Sequence, residues 1–227
     1  MKSIKILPYL LLTLFLFSCG KLATTSEDKK SVDEVLKFYG GYVETMKGVE
    51  TLNGNSSDFF EVQIKDSKLI NNQPQRAISN ASNIAFIAFQ NQKPGAYDVI
   101  KTKLLLADGA SFTKSFTQKE LQEVKNIYPE IDKINSFLIN KNYSGILEMF
   151  DSKFKPKEKV VKETLSGMDS QLGPITKIQF QGFEFLEDSN LGHIILVREV
   201  GQRKQLFPFI NLAFDRKTKK LLNIEFP

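Results

Sequence analysis

The chain has 227 residues, with 31 Lys and Arg against 26 Asp and Glu, one Cys, one His, no Trp and 19 Phe. Its 41% apolar and 25% charged residues place it among globular proteins and exclude disordered and fibrous classes. A single Cys excludes a disulfide framework and cysteine-rich zinc or iron–sulfur centres, and a single His excludes multi-histidine metal sites.

Lys2 and Lys5 precede an almost unbroken apolar run at residues 6–17, ILPYLLLTLFLF. As a helix that run spans about 18 Å, short of the roughly 30 Å hydrocarbon core of a bilayer. A signal peptide over residues 1–18 therefore fits better than a membrane-spanning anchor. The run closes as Leu16-Phe17-Ser18-Cys19-Gly20, a small residue followed by a cysteine. This resembles the lipobox of bacterial lipoproteins. The resemblance implies that the Cys19 thiol carries a diacylglyceryl group, that the chain is cut before Cys19, and that the new amine is acylated too, palmitate being a typical chain. It implies attachment to a membrane of the cell envelope, on its periplasmic or outer-surface face. Two or more acyl chains hold stably, each buried methylene contributing about 0.8 kcal/mol. Residues 19–30 are polar, small-sided and without periodicity, and read as a flexible tether. Removing the signal leaves a net charge of +3 spread over both halves, which argues against a nucleic-acid partner.

Ser31 with Glu34 forms a capping box. Val32, Val35, Leu36, Tyr39, Tyr42, Val43 and Met46 follow at helical spacing and predict a helix over 32–47. Gly40 and Gly41 fall inside it, each costing about 1 kcal/mol, which close packing against a neighbour would rationalise. A turn at 53–57 leads into a strand at 59–64. Pro74 opens a second helix along Ala77, Ile78, Ala81, Ile84, Ala85, Ala88 and Phe89, although the apolar density of 84–89 also suits a strand. Strands at 97–106 and 111–116 pair across Asp108-Gly109. A capping box at Thr117 and Glu120 starts a helix through Leu121, Val124 and Ile127. Pro129 then marks a boundary between an N-terminal α+β domain at 31–128 and a second domain at 129–227.

Beyond Pro129, Ile131, Ile134, Phe137 and Leu138 form one helical stripe, and Tyr143, Ile146, Leu147 and Phe150 another, separated by an Asn140-Lys141-Asn142 corner. Pro156 opens a helix through Val160, Val161, Leu165, Met168 and Leu172. The period then switches to two, giving strands at 175–187, 191–200, 204–215 and 219–226. In the first of these, Ile178 and Phe180 lie out of phase with Phe183 and Phe185. A β-bulge at Gln181-Gly182 would turn all four inward and bend the strand. The fold class is α+β, with C-terminal helices packed on a bent antiparallel meander. The run FLINKNYSGILEMF at 137–150 and the LGPITKI at 172–178 resemble the nuclear transport factor 2-like superfamily, over residues 129–227. That resemblance implies a cone-shaped α+β domain. The superfamily holds isomerases, dehydratases and non-catalytic binding modules, so the fold does not choose among them.

An isomerase-like site needs a general base and a hydrogen-bond donor that converge. His193 with Glu184, Glu199 or Tyr143 are the candidates. His193 shares a strand face with Leu191, Ile195 and Val197 and is expected to be partly buried. No nucleophile elbow, phosphate loop, dinucleotide glycine fingerprint or His-Glu-x-x-His motif occurs. The expectation is accordingly no catalytic residue, no metal and no cofactor. Phe180, Phe183, Phe185, Phe207, Phe209 and Phe214 concentrate in the meander, as a core or around an apolar pocket. Residues 204–215 are apolar on both faces, so the N-terminal half covers that strand or it presents a partner surface. The clusters Lys153, Lys155, Lys157, Lys159 and Arg216, Lys217, Lys219, Lys220 read as solvated surface in preference to phospholipid-facing patches. The leading expectation is a membrane-anchored, non-enzymatic envelope lipoprotein that binds an envelope protein or a small apolar ligand. A small-molecule isomerase or hydrolase and a structural assembly lipoprotein are the alternatives.

Overall fold

The computed structural model describes residues 24–227. The expected signal peptide, Cys19 and the first part of the expected tether lie outside the described residues.

The first helix, α1 (Ser26–Tyr39), starts earlier than the spacing predicts. Thr25 caps it: its hydroxyl accepts from the Asp28 amide at 3.2 Å, and the Asp28 carboxylate accepts from the Thr25 amide at 2.6 Å. Asp28 is fully buried and ion-paired with Lys47. Burial pushes the Asp28 carboxyl up, but hydrogen bonds from Lys47 and Thr25 outweigh it and hold the group below its ordinary range. The end of the expected tether, 26–30, is therefore helix held into the fold. Ser31 is not a cap; it is buried within α1, its hydroxyl donating to the Glu27 carbonyl at 2.9 Å.

The expected 32–47 helix stops at Gly40-Gly41, where φ is +63° and +79°. A Cβ on Gly41 would stand 2.5 Å from the Lys65 carbonyl oxygen, so the chain turns there against another backbone. The remainder forms β1 (Tyr42–Leu52). It pairs antiparallel with β2 (Asn55–Lys65) through a two-residue turn, Asn53-Gly54, both residues at positive φ. The crossover from β2 carries α2 (Lys68–Asn71), a single 3-10 turn at Pro74–Arg76 and α3 (Ala77–Asn91), returning parallel as β3 (Val99–Leu105). β4 (Ser111–Thr117) pairs antiparallel with β3, completing a sheet of order β1-β2-β3-β4.

The segment 84–89, which suited a strand by density, is helix. α3 is buried nearly all round, from Ser79 through Ala88, which removes the polar face by which an amphipathic helix is recognised. Thr117 and Glu120 do cap α4 (Gln118–Ile139) as a capping box. Pro129 sits inside this uninterrupted helix, with no break at the expected boundary. A mid-helix proline costs about 3 kcal/mol. Here Ile127, Ile131, Ile134 and Leu138 on the buried face hold the helix together across it. α5 (Tyr143–Met149), capped by Asn142, and α6 (Glu158–Leu172) follow. The chain ends in an antiparallel meander of β5 (Lys177–Asp188), β6 (Gly192–Gln202), β7 (Phe209–Asp215) and β8 (Leu221–Glu225), in that order. The fold is α+β.

Residues 204–208 are not strand. Arg203 and Leu206 exchange both backbone hydrogen bonds around a tight turn, with Lys204 at φ +49°, and Leu206 and Phe207 are exposed.

The main core draws residues from both halves of the chain. Phe86 on α3 packs its ring 5.5 Å from Phe180 and 6.3 Å from Phe183, and Phe183 meets Phe116 on β4 at 5.5 Å. The expected bulge is present: Phe180 pairs with Glu199 and Gly182 with Arg198, leaving Gln181 as the extra residue. Ile178, Phe180, Phe183 and Phe185 all reach the same core. The bulge also docks β5 on α3. The Ser79 hydroxyl donates to the Gln181 carbonyl at 2.9 Å, and the Ser82 hydroxyl accepts from the Phe183 amide at 2.8 Å.

Candidate functional site

The four residues considered for catalysis serve four different surroundings. His193 is exposed at the start of β6, beyond the buried stretch that begins at Ile194. This corrects the expectation of partial burial; at the hairpin end the strand has run past the core. Glu184 is half-buried on β5, one oxygen 3.5 Å from the Arg198 guanidinium. Tyr143 donates to the Asp169 carboxylate at 3.1 Å, and Asp169 is also held by Arg203 at 2.5 Å and Lys141 at 3.2 Å. Burial pushes the Asp169 carboxyl up, and those three partners more than reverse it, keeping the group below its ordinary range. That clasp ties α6 to the end of β6 and to the α4–α5 corner. Arg203, fully buried, extends it by donating to the Gly173 carbonyl at 2.5 Å.

Glu199 is fully buried on β6 and accepts from Asn135 Nδ2 of α4 at 2.7 Å. Burial pushes its carboxyl up to about 7, with the charge of Asp132 adding to the rise. A base with that pKa could serve acid–base chemistry, but Glu199 lines none of the three cavities described in the protein. His193 and Tyr143 line none of them either. Among the described residues no cluster of three His, Cys, Asp or Glu could hold a metal ion, and no helix is long and apolar enough to cross a membrane.

All three cavities adjoin the C-terminal sheet, and two of them also take walls from helices. The first, of 220 Å³, is an apolar groove between α5, α6 and β8. Phe150, Phe154, Val161 and Leu165 form one wall, and Leu222 and Ile224 the other. Its volume lies below the about 300 Å³ at which drug-sized ligand pockets begin, so it suits a slim chain better than a ring system. Val160, 54% exposed, stands at its mouth. Lys153, Lys155, Lys157 and Lys159 are all exposed and alternate with the lining residues Phe154, Pro156 and Val160. The Lys153 ammonium lies 5.4 Å from the centre of the Phe154 ring. Among these four lysines stands Glu158, which accepts a hydrogen bond from Ser144 at 3.0 Å, and Lys159 pairs with Glu163 at 3.8 Å. Of the lining, Ile146 and Phe150 were legible on one helical stripe and Val160, Val161 and Leu165 on another. Phe154 lies in an irregular segment where no periodicity marks it. The second cavity, of 460 Å³, mixes polar and apolar lining and opens between the start of α3 and the strands β5 to β7.

No family model and no curated protein matches the chain. The structure of Bdellovibrio bacteriovorus Bd1075 is similar at 13% identity over 83% of this chain and 69% of that one, with a TM-score of 0.34. A likeness that low carries no argument about fold or function.

Proposed function

We propose that the protein is a non-enzymatic binding module of a bacterial cell envelope, held to a membrane through a lipidated Cys19. Its ligand is a slim apolar chain with an anionic head, taken up by the groove between α5, α6 and β8. The observation that carries the ligand class is the apolar lining, with four exposed lysines next to its lining residues in the chain. Removing methylenes from water drives the chain into the groove, and the ammonium groups of these lysines complement a carboxylate or phosphate head. The anchor rests on the basic n-region, the apolar run and Ser18-Cys19.

Two measurements test this. Labelled palmitate fed to expressing bacteria should enter the wild-type chain and be absent from Cys19→Ala; label retained in the variant overturns the anchor. For the groove, a pyrene-labelled fatty acid should bind the non-acylated Cys19→Ala chain and be displaced by dodecanoate better than by its methyl ester. Adding Val160→Glu puts a carboxylate at the mouth and should weaken binding about tenfold, equivalent to about 1.4 kcal/mol. Equal displacement by acid and ester, or unchanged binding in the variant, would rule out this site.

A further inference from the structure

The 460 Å³ cavity lies where the two halves of the chain meet. One wall is the 3-10 turn and first turn of α3, with Gln75 and Arg76; the other is the face of β5 to β7, with Glu184, Arg198, Phe209 and Asn211. Its volume falls inside the about 300–1,000 Å³ typical of small-molecule sites.

Pro227 also lines it, and the two arginines in it lack close carboxylate partners. The Arg76 guanidinium lies 4.2 Å from the centre of the Phe209 ring and donates to the neutral Gln73 Oε1 at 3.1 Å. Among the described residues no carboxylate stands within ion-pair distance of it. Burial pulls the Arg76 pKa down from its ordinary value, and the neighbouring positive charge of Arg198 adds to the effect. Arginine nonetheless stays protonated in proteins, so the energetic consequence falls on the fold as an uncompensated, half-buried cation. Arg198 is only loosely neutralised. Its contact with Glu184 is a single 3.5 Å approach, long beside the about 2.7–2.9 Å of a charge-assisted hydrogen bond. Two guanidinium forks, one slack carboxylate, an aromatic wall and the Gln75 and Asn211 amides thus share one half-closed space.

A structural role alone, gluing α3 to the meander, would favour a close Arg–carboxylate pair and leave no cavity. The geometry points to a ligand. We propose that this cleft binds a small molecule bearing a carboxylate or phosphate group, gripped between Arg76 and Arg198, with Glu184 as the internal anion it displaces. The forks match a planar carboxylate or a phosphoryl group in a bidentate manner. The proposal is independent of the apolar groove and of the proposed lipidation of Cys19, and stands or falls without either.

The test is calorimetric titration of the non-acylated Cys19→Ala chain with citrate and with inorganic phosphate, each against potassium chloride of matched ionic strength. Saturable binding at a Kd of about 1 mM or tighter is expected for at least one of them. A response to citrate alone assigns the site to carboxylates, and to phosphate alone to phosphoryl groups. Arg76→Gln and Arg198→Gln should each weaken the response about tenfold or more, the loss of one charge-assisted contact. Glu184→Gln should strengthen it several-fold by removing the competitor, which no loss of structural integrity would do. Arg76→Lys keeps the charge but not the fork, and should recover only part of the affinity. Thermal melts of each variant without ligand separate unfolding from lost binding. Heats identical to chloride in both arms, or weaker binding in a folded Glu184→Gln, overturn the assignment.

Discussion

Replacing Gly182 by alanine is expected to cost about 3–5 kcal/mol of folding stability, or roughly 10 °C in melting temperature for a chain of this length. Two independent effects combine. Gly182 has φ +129°, a conformation that side chains rarely adopt, and an added Cβ would stand 2.1 Å from the Ser79 carbonyl oxygen and 2.6 Å from the Ser82 hydroxyl. Both obstacles belong to α3, which is packed on all sides and cannot retreat. Separating β5 from α3 would break the Ser79 bond to the Gln181 carbonyl and the Ser82 bond to the Phe183 amide. It would also open the contacts of Phe86 with Phe180 and Phe183 that join α3 to β5. Ser82→Ala isolates one part of this: it orphans a buried amide at about 1–3 kcal/mol without adding bulk. Gly167 in α6 is the control, since a Cβ there meets nothing within 4 Å. Gly167→Ala should stabilise by about 0.5–1 kcal/mol, because alanine is the better helix former. Thermal and urea melts of the three variants measure the ordering. A Gly182→Ala protein that melts with wild type would show that the bulge does not hold the halves together.

What the sequence discloses about this fold divides by how local the deciding interaction is. The bulge was readable because a period-2 strand cannot carry Ile178, Phe180, Phe183 and Phe185 on one face without an extra residue. The α4 start was readable because Thr117 and Glu120 satisfy each other's backbone within one turn. The α1–β1 junction was not. Tyr42, Val43 and Met46 happen to continue a helical spacing, and Gly41, where it breaks, is held against Lys65, a residue on another strand. Pro129 misleads for the opposite reason: its local penalty is real, and burial of Ile127 and Ile131 on the far face overrides it. The cavities are the least legible elements. Arg76 and Arg198 belong to opposite halves of the chain, and only the docking of α3 on the meander brings them together. Neither carries a motif, and each alone is an ordinary surface arginine.

Between pH 4.5 and about 7 the protein should lose stability as pH rises, and Glu199→Gln should remove most of that loss, the Asp132 carboxyl, which burial also raises, acting in the same sense. The Glu199 carboxyl titrates near its ordinary 4.5 when unfolded and at about 7 when folded, burial being the main cause and Asp132 on the next turn of α4 the lesser one. In that window the native state binds more protons than the unfolded one, so unfolding becomes easier with increasing pH. Stability from this group is complete below pH 4.5 and gone once pH has passed the folded value. The difference is about 3 kcal/mol at about 1.4 kcal/mol per unit. The geometry explains what the proton does. Glu199 Oε1 accepts from Asn135 Nδ2, while Glu199 Oε2 and Asn135 Oδ1 are both buried without a partner. A proton on Oε2 provides the donor that Asn135 Oδ1 lacks, and the same proton removes a charge from the interior. Glutamine supplies both permanently: it has the shape of the neutral acid, an N–H for Asn135 and no charge to lose. The Asp28, Asp169 and Asp215 carboxyls act in the opposite sense, since their folded values are lowered and their stabilisation is lost only in acid. Urea melts of wild type and Glu199→Gln at pH 5 and pH 8 check this. The variant should gain about 2.5 kcal/mol over wild type at pH 8 relative to the same comparison at pH 5. A difference between the two proteins that does not change with pH would mean that Glu199 is ionised in the folded protein throughout.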